Sequence, residues 1–275
     1  MIRNAIGTRL GAFLVLLLSL TASAEPPELG DTIEHSRLVG TLKLKGELFH
    51  VQGVELDGEH IWVTSVDRDN RKGYIHEFDR ATGEFLRRVE LTDGLRYHPG
   101  GISIHDGSIW VPVAEMKPRS SAVLVEIDKE SLQIRRRIHV ADHLGCVAAS
   151  DGMLIAGNWD SRLLYIIDPT GAAPVRFVRN PTRTRYQDMK LIAGQLVAGG
   201  LLTSRSGTID WFEWPTMRPL RTLRTGATTG ADPKLDPRAY NAEGMTLEGR
   251  DLYLVPEDGP SRMFHFRINE TIAGL

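Results

Sequence analysis

The sequence has 275 residues, a formal net charge of −2 at pH 7 and 41% hydrophobic residues. This near-neutral balance gives no reason to expect nucleic acid or an anionic membrane surface as a partner. The single cysteine, Cys146, excludes an internal disulfide, so the fold must be stabilised by burial alone.

The first 24 residues have the order of a secretory signal peptide. Arg3 and Arg9 precede an apolar run over 10–20, and small residues follow at 22–24. The alternative is an uncleaved anchor, although the run is short for a membrane span. We therefore predict a signal peptide, a periplasmic or secreted protein, and no membrane contact after cleavage.

A repeat organises the remaining chain, residues 25–275, which we expect to form one domain. Its clearest copy runs from Tyr97 to Trp110 and contains Gly100-Gly101. Each copy reads as four short strands separated by turn residues. Positions equivalent to Gly101 recur 42 to 56 residues apart, at Gly53, Gly101, Cys146, Asp188 and Gly244. Repeats of about 40–50 residues with four strands are typical of β-propeller blades.

The predicted strands fall into four complete blades and one incomplete blade. In chain order they are 51–56, 61–66, 74–79 and 84–91; 101–104, 109–114, 122–128 and 132–140; 147, 154–157, 163–168 and 175–178; 189–192, 196–201, 208–213 and 219–223; and 245–247, 252–255 and 263–268. The alternating segment 36–44 is predicted to complete the last blade. The sequence thus predicts an all-β, five-bladed propeller closed by its N-terminal strand, with six blades as the rival if 225–239 hides further strands.

The alignment of blades also predicts a polar site, because equivalent positions of a propeller meet around one axis. Two positions per blade share a strand face at one mouth of the ring. Three residues before the Gly101-equivalent position stand His50, His98, His143, Arg185 and Asn241. One residue before it stand Gln52, Gly100, Gly145, Gln187 and Glu243. A third set, mostly acidic, lies beyond the second strands at Asp67, Glu115, Asp160, Leu202 and Asp258.

Convergent imidazoles and carboxylates are suitable ligands for a divalent metal such as Ca²⁺, Zn²⁺ or Mn²⁺. The predicted metal ligands are His50, His98, His143 and Glu243, and the predicted catalytic residues are His98 and Glu243. The predicted ligand-binding residues are Gln52, Gly100, Gln187, Asn241, Glu115, Asp160, Asp258 and Asp67. Alternatively, the histidines satisfy backbone groups of the entry loops and the acids serve turns.

Two classes of function are compatible with such a site. A metal-bound water would hydrolyse an ester, lactone or phosphoester, with Glu243 moving its proton. Without a metal, His98 and Glu243 would form an acid/base pair for elimination or cyclisation. We therefore expect a monomeric hydrolase or lyase acting on a small polar molecule. The alternative is a non-catalytic propeller that binds a ligand or a protein at the same mouth.

Two further motifs resemble known propeller families. The turns Phe78-Asp79-Arg80-Ala81-Thr82-Gly83 and Ile167-Asp168-Pro169-Thr170-Gly171 resemble those of secreted bacterial propellers of the YVTN-repeat and gluconolactonase-like kind. That resemblance implies a propeller fold, and its families include metal-dependent lactonases and esterases as well as proteins without known activity. Val51-Gln52-Gly53-Val54 with Asp57-Gly58 resembles the start of a propeller-type glutaminyl cyclase, but that family's later motifs are not found here.

Overall fold

The computed structural model describes residues 29–229, 237–256 and 260–269. The predicted signal peptide and Asp258 lie outside these residues. The described part of the chain folds into 21 strands that form five sheets, and it contains no helix that could cross a membrane.

The strands follow one another with short turns. They are β1 (Ser36–Lys43), β2 (His50–Asp57), β3 (His60–Asp67), β4 (Lys72–Asp79), β5 (Phe85–Glu90), β6 (His98–Pro99), β7 (Ser103–His105), β8 (Ser108–Ala114), β9 (Ala122–Asp128), β10 (Ile134–Val140), β11 (Leu144–Ser150), β12 (Met153–Asn158), β13 (Leu163–Ile167), β14 (Arg176–Arg179), β15 (Arg185–Ile192), β16 (Gln195–Leu201), β17 (Gly207–Glu213), β18 (Arg218–Thr225), β19 (Gly244–Glu248), β20 (Asp251–Val255) and β21 (Arg262–Ile268).

Each sheet is one antiparallel blade, and the five blades confirm the predicted five-bladed propeller. Blades 1, 3 and 4 are formed by β2–β5, β11–β14 and β15–β18 in chain order. Blade 2 contains β6–β10, because its innermost strand is divided into β6 and β7, which both pair with β8. Blade 5 has the order β1-β21-β20-β19, so the N-terminal strand closes the ring as predicted.

The N-terminal segment that closes the ring contacts blade 4 as well as blade 5. Ser36 of β1 pairs with Ile268 of β21, and the residues just before β1 are bonded to the end of β18. The Glu34 amide donates to the Arg224 carbonyl at 3.0 Å, and Ile33 forms an isolated bridge with Thr225. The N-terminal segment therefore joins the last two blades to each other.

Hydrophobic packing lies between neighbouring blades. The inner three strands of a blade are buried on both faces, as in β8, whereas outer strands such as β10 expose alternate residues. Between blades 1 and 2, Trp62 and Ile75 pack with Ile102, Ile109 and Val125. Full burial of each such aliphatic side chain stabilises the fold by about 1.5–3 kcal/mol.

Glycines allow the innermost strands to approach each other at the axis. The Gly101 amide donates to the Gly145 carbonyl at 2.9 Å, and the Val147 amide donates back to the Gly101 carbonyl at 3.1 Å. A Cβ atom on Gly100 would lie 2.0 Å from that Gly145 oxygen. Glycine is required at position 100 because two main chains meet there.

The Gly100→Ala variant is expected to lose about 2–3 kcal/mol of unfolding free energy, since backbone atoms on both sides must move. Chemical denaturation at neutral pH measures this loss. Gly40→Ala is the matched control, because a Cβ atom at position 40 would meet nothing within 4 Å. Equal stability losses in the two variants would contradict this account of the axis.

Below the glycine contacts, buried ionic side chains cross the axis. The Lys190 ammonium lies 2.9 Å from Asp188 Oδ1 and 3.4 Å from Glu55 Oε2, and it also donates to the Ile102 carbonyl. Lys190 is 4% exposed and Asp188 is fully buried. Burial alone lowers the pKa of Lys190, but the two carboxylates outweigh burial and hold that pKa above its usual value. The ammonium therefore links blades 1, 2 and 4.

Candidate functional site

A cavity of about 250 Å³ occupies one mouth of the central axis. All five blades contribute to its wall. The lining residues are His50, Gln52 and Arg68 from blade 1; His98 and Met116 from blade 2; His143, Gly145 and Trp159 from blade 3; Arg185, Gln187 and Leu201 from blade 4; and Ala242 and Glu243 next to β19.

Bulges in the innermost strands help to place side chains in this wall. The pairing register shifts between Val51 and Gly53, and the same shift brackets the equivalent positions of blades 3 and 4. The residues inside the three bulges are Gln52, Gly145 and Gln187, and all three line the cavity. A bulge changes the direction of a side chain, so the bulges of blades 1 and 4 help to direct Gln52 and Gln187 toward the cavity.

The sequence predicted two sets of five residues on the innermost strands, one residue per blade in each set. Four residues of each set line the cavity. The two exceptions are Asn241 and Gly100. Asn241 is fully buried, and its amide donates to the carbonyls of Gly200 at 2.8 Å and Thr208 at 2.7 Å. Asn241 therefore joins blade 5 to blade 4, and Gly100 serves the main-chain contact described above.

The described acids of the third set do not line the cavity, which corrects the expected ring of carboxylates. Asp67 accepts bonds from the amide and the side chain of Asn70. Glu115 accepts from Ser121 Oγ at 2.7 Å and pairs with Lys117 at 2.9 Å, whereas Asp160 lies 3.9 Å from Arg162. Each acid is held by a residue of its own loop. Asp258, the remaining acid, lies outside the described residues.

Neighbours of these acids form the wall instead. Arg68 and Met116 directly follow Asp67 and Glu115, and Trp159 directly precedes Asp160. None of these three residues is among the site residues predicted from the sequence. The sequence did contain a signal for them, because side chains alternate in direction along an extended segment. A residue next to an acid that faces outward therefore faces the cavity.

His143 and His98 are both held neutral. His143 Nδ1 donates to the Glu115 carbonyl at 2.8 Å, which leaves Nε2 as the acceptor of the neutral ring. Burial lowers the pKa of His143, and Trp159 packs edge-on against this imidazole with ring centroids 4.5 Å apart. Burial, followed by the charges of neighbours including Arg68, lowers the pKa of His98 to about 3. His98 Nδ1 is buried without a hydrogen-bond partner among the described residues.

Glu243 is the one carboxylate among the described residues that line the cavity. It is 7% exposed. Gln52 Nε2 donates to its Oε2 at 3.3 Å, while His50 Nε2 lies 3.9 Å and an Arg238 nitrogen lies 3.6 Å from its Oε1. The carboxylate is thus fixed in direction by three polar side chains.

The predicted metal ligands His50, His98, His143 and Glu243 all line the cavity wall. Within the described ranges, no three histidine, cysteine, aspartate or glutamate side chains are grouped so that they could hold a metal ion. The rings of His98 and His143 have centroids 5.5 Å apart. A metal held by these residues stays a prediction.

Comparisons with known proteins place the fold more firmly than the chemistry. Residues 40–176 match the model of a family of unknown function (DUF6454). Curated protein sequences gave no match. Among solved structures, the chain is similar to the Myxococcus xanthus glutaminyl cyclase, with 12% identity, a TM-score of 0.62, and coverage of 85% of this chain and 96% of that chain.

A further similar structure is the Neurospora crassa Pan2 WD40 domain, with 8% identity, a TM-score of 0.48, and coverage of 90% of this chain and 99% of that chain. The chain is a β-propeller that resembles a propeller-type glutaminyl cyclase in fold.

Proposed function

We propose that the protein is an enzyme that uses acid/base chemistry, without a metal, to eliminate or cyclise a small polar molecule in the central cavity. The observation that supports this proposal is Glu243, a buried carboxylate directed by Gln52, His50 and Arg238 toward a cavity with neutral imidazoles. A carboxylate held in this way is suited to general acid/base catalysis. The similarity in fold to a glutaminyl cyclase is consistent with this class of reaction.

The residues of the wall have separate roles in this proposal. Ionised Glu243 removes a proton from the bound molecule and returns it to the leaving atom. The low pKa of His98 makes this ring a poor proton donor at neutral pH, so His98 acts as a neutral hydrogen-bonding group. His143 presents the Nε2 acceptor of its neutral ring to the molecule, and Trp159 packs against that ring. The reaction is proposed to take place outside the cytoplasm, as the predicted signal peptide indicates.

The Glu243→Gln variant is expected to lower kcat by about 100-fold or more, because the amide cannot take up the proton. The assay uses an N-terminal glutaminyl peptide, a lactone and a β-hydroxy acid with protein dialysed against a chelator. Glu248→Gln is the matched control, since Glu248 is exposed at the end of β19 and pairs with Arg80 instead of the cavity.

Three results would contradict this proposal. Turnover that returns only when Ca²⁺, Zn²⁺ or Mn²⁺ is restored would favour the metal-dependent hydrolase. Turnover that is unchanged in Glu243→Gln would remove the carboxylate from the chemistry. Specific binding without turnover of any compound would favour the non-catalytic propeller.

A further inference from the structure

Among the described residues that line the cavity, charge is not balanced. Two of them are arginines, Arg68 and Arg185, and one is a carboxylate, Glu243. Glu243 already lies within 4 Å of Arg238, which is a third guanidinium near the mouth. The described part of the wall therefore has an excess of positive charge, which attracts negatively charged molecules into the cavity.

Neither Arg68 nor Arg185 is neutralised by a carboxylate of the described residues. Both side chains are exposed at the mouth, and neither has a hydrogen bond or ion pair with any residue of the described ranges. Some other surface arginines are engaged, as the pairs of Arg80 with Glu248 and Arg218 with Glu213 show. The five N–H donors of each free guanidinium have the planar arrangement that matches a carboxylate or a phosphate.

The two arginines are fixed at different points of the ring. Arg68 follows β3 in blade 1, on the side of blade 2, where its charge reaches His98. Arg185 begins β15 in blade 4. The wall also contains the Gln187 side-chain amide, which has no hydrogen-bond partner among the described residues. Its neutral donor and acceptor groups can bind the uncharged part of the same molecule.

We propose that the cavity binds a small organic anion whose carboxylate or phosphate group is held by Arg68 and Arg185. This proposal rests on the proposed function, because it names the class of substrate for that site. The anionic group lies at the mouth, and the reacting part of the molecule faces Glu243. Anchoring a charged group away from the reacting atoms directs the remaining part of a substrate toward the catalytic carboxylate.

Binding of simple anions tests the proposal separately from catalysis. Isothermal titration at low salt uses succinate and glycerol 3-phosphate, with the neutral compounds succinamide and glycerol for comparison. The wild-type protein is expected to bind at least one anion, to bind the neutral compounds more than tenfold more weakly, and to lose affinity as salt is added. The preferred anion identifies the carboxylate or the phosphate as the recognised group.

Variants assign the binding to the two arginines. Arg68→Gln and Arg185→Gln are each expected to raise Kd by about tenfold, or 1.4 kcal/mol. Arg183→Gln is the matched control, because Arg183 is exposed two residues before Arg185 and does not line the cavity. Glu243→Gln should retain anion binding while it loses turnover.

The outcomes separate the two proposals. Anion binding that depends on Arg68 and Arg185, in a protein without Glu243-dependent turnover, would support the anion site and refute the proposed catalysis. Glu243-dependent turnover of neutral molecules, unaffected by the arginine variants, would refute the anion site alone. Failure of both anions to bind at millimolar concentration, or an equal loss in Arg183→Gln, would also overturn this inference.

Discussion

Replacing Lys190 with methionine is expected to lower the free energy of unfolding by about 3–5 kcal/mol, because the variant leaves buried carboxylates without their cation. Asp188 and Glu55 are 0% and 9% exposed and share this one ammonium. Methionine fills a similar volume but supplies no hydrogen-bond donor, so the Ile102 carbonyl also loses its partner. Urea denaturation at neutral pH measures the change.

Second substitutions distinguish this charge effect from a packing effect. Burial raises the pKa of Asp188, while four hydrogen-bond donors oppose that rise, from Lys190 and the amides of Val54, Met189 and Met245. Adding Asp188→Asn to the Lys190 variant should therefore recover part of the loss, since one unpaired charge is removed.

The matched control for this prediction is Lys45→Met, which breaks the exposed pair with Glu84. An exposed pair contributes about 0–1 kcal/mol. If Lys190→Met costs no more than Lys45→Met, the buried ions do not stabilise the axis.

Acidification from pH 6.5 toward pH 4 is expected to destabilise the propeller through buried neutral histidines. His76 is fully buried, and its Nε2 lies 2.8 Å from Ser65 Oγ. Burial, assisted by the charge of Arg88, lowers the pKa of His76 to about 3, compared with about 6.5 in an unfolded chain. Below pH 6.5, His76 binds a proton in the unfolded chain but stays neutral in the folded chain. Stability is therefore complete above pH 6.5 and is lost as the pH falls toward 3, by about 1.4 kcal/mol per pH unit.

Denaturation midpoints at several values between pH 4 and pH 7 measure this dependence. The His76→Gln variant keeps a side chain that can bond to Ser65 but cannot titrate, so its stability should fall less steeply with acid. His139→Gln, on the exposed face of β10, should retain the wild-type slope. Carboxylates contribute equally to the slopes of the wild type and of the variants, so the difference between the slopes isolates His76. Equal slopes in wild type and His76→Gln would exclude His76 as the cause.

The repeat made the fold predictable from the sequence. Matching Gly53, Gly101 and Gly244 across blades predicted both the number of blades and the residues that face the axis. The segment 36–44 was assigned to the last blade because that blade lacked a strand, and β1 occupies this place. These features follow from periodicity, which a single sequence records directly.

The local geometry of the site was harder to predict from the sequence than the fold. The acids Asp67, Glu115 and Asp160 were expected at the mouth, but each bonds within its own loop, and loop conformation has no periodic signal. In the blade alignment Asp188 stands where three other blades have glycine, and the alignment did not explain why a carboxylate occupies this position. The reason is Lys190, two residues further along the strand, because the charge of one requires the charge of the other. Single positions in the alignment could not reveal that pairing.

The position of β1 in the chain affects how fast the ring can close during folding. Its partner β21 lies more than two hundred residues away in the sequence, so the pairing of Ser36 with Ile268 is among the most distant contacts of the molecule. Such contacts are slow to form, because the intervening chain must be ordered first. Synthesis proceeds from the N terminus, so β1 emerges early and waits until β21 has been made. Throughout that interval, the edge of β1 that later pairs with β21 is exposed and must avoid pairing with other chains.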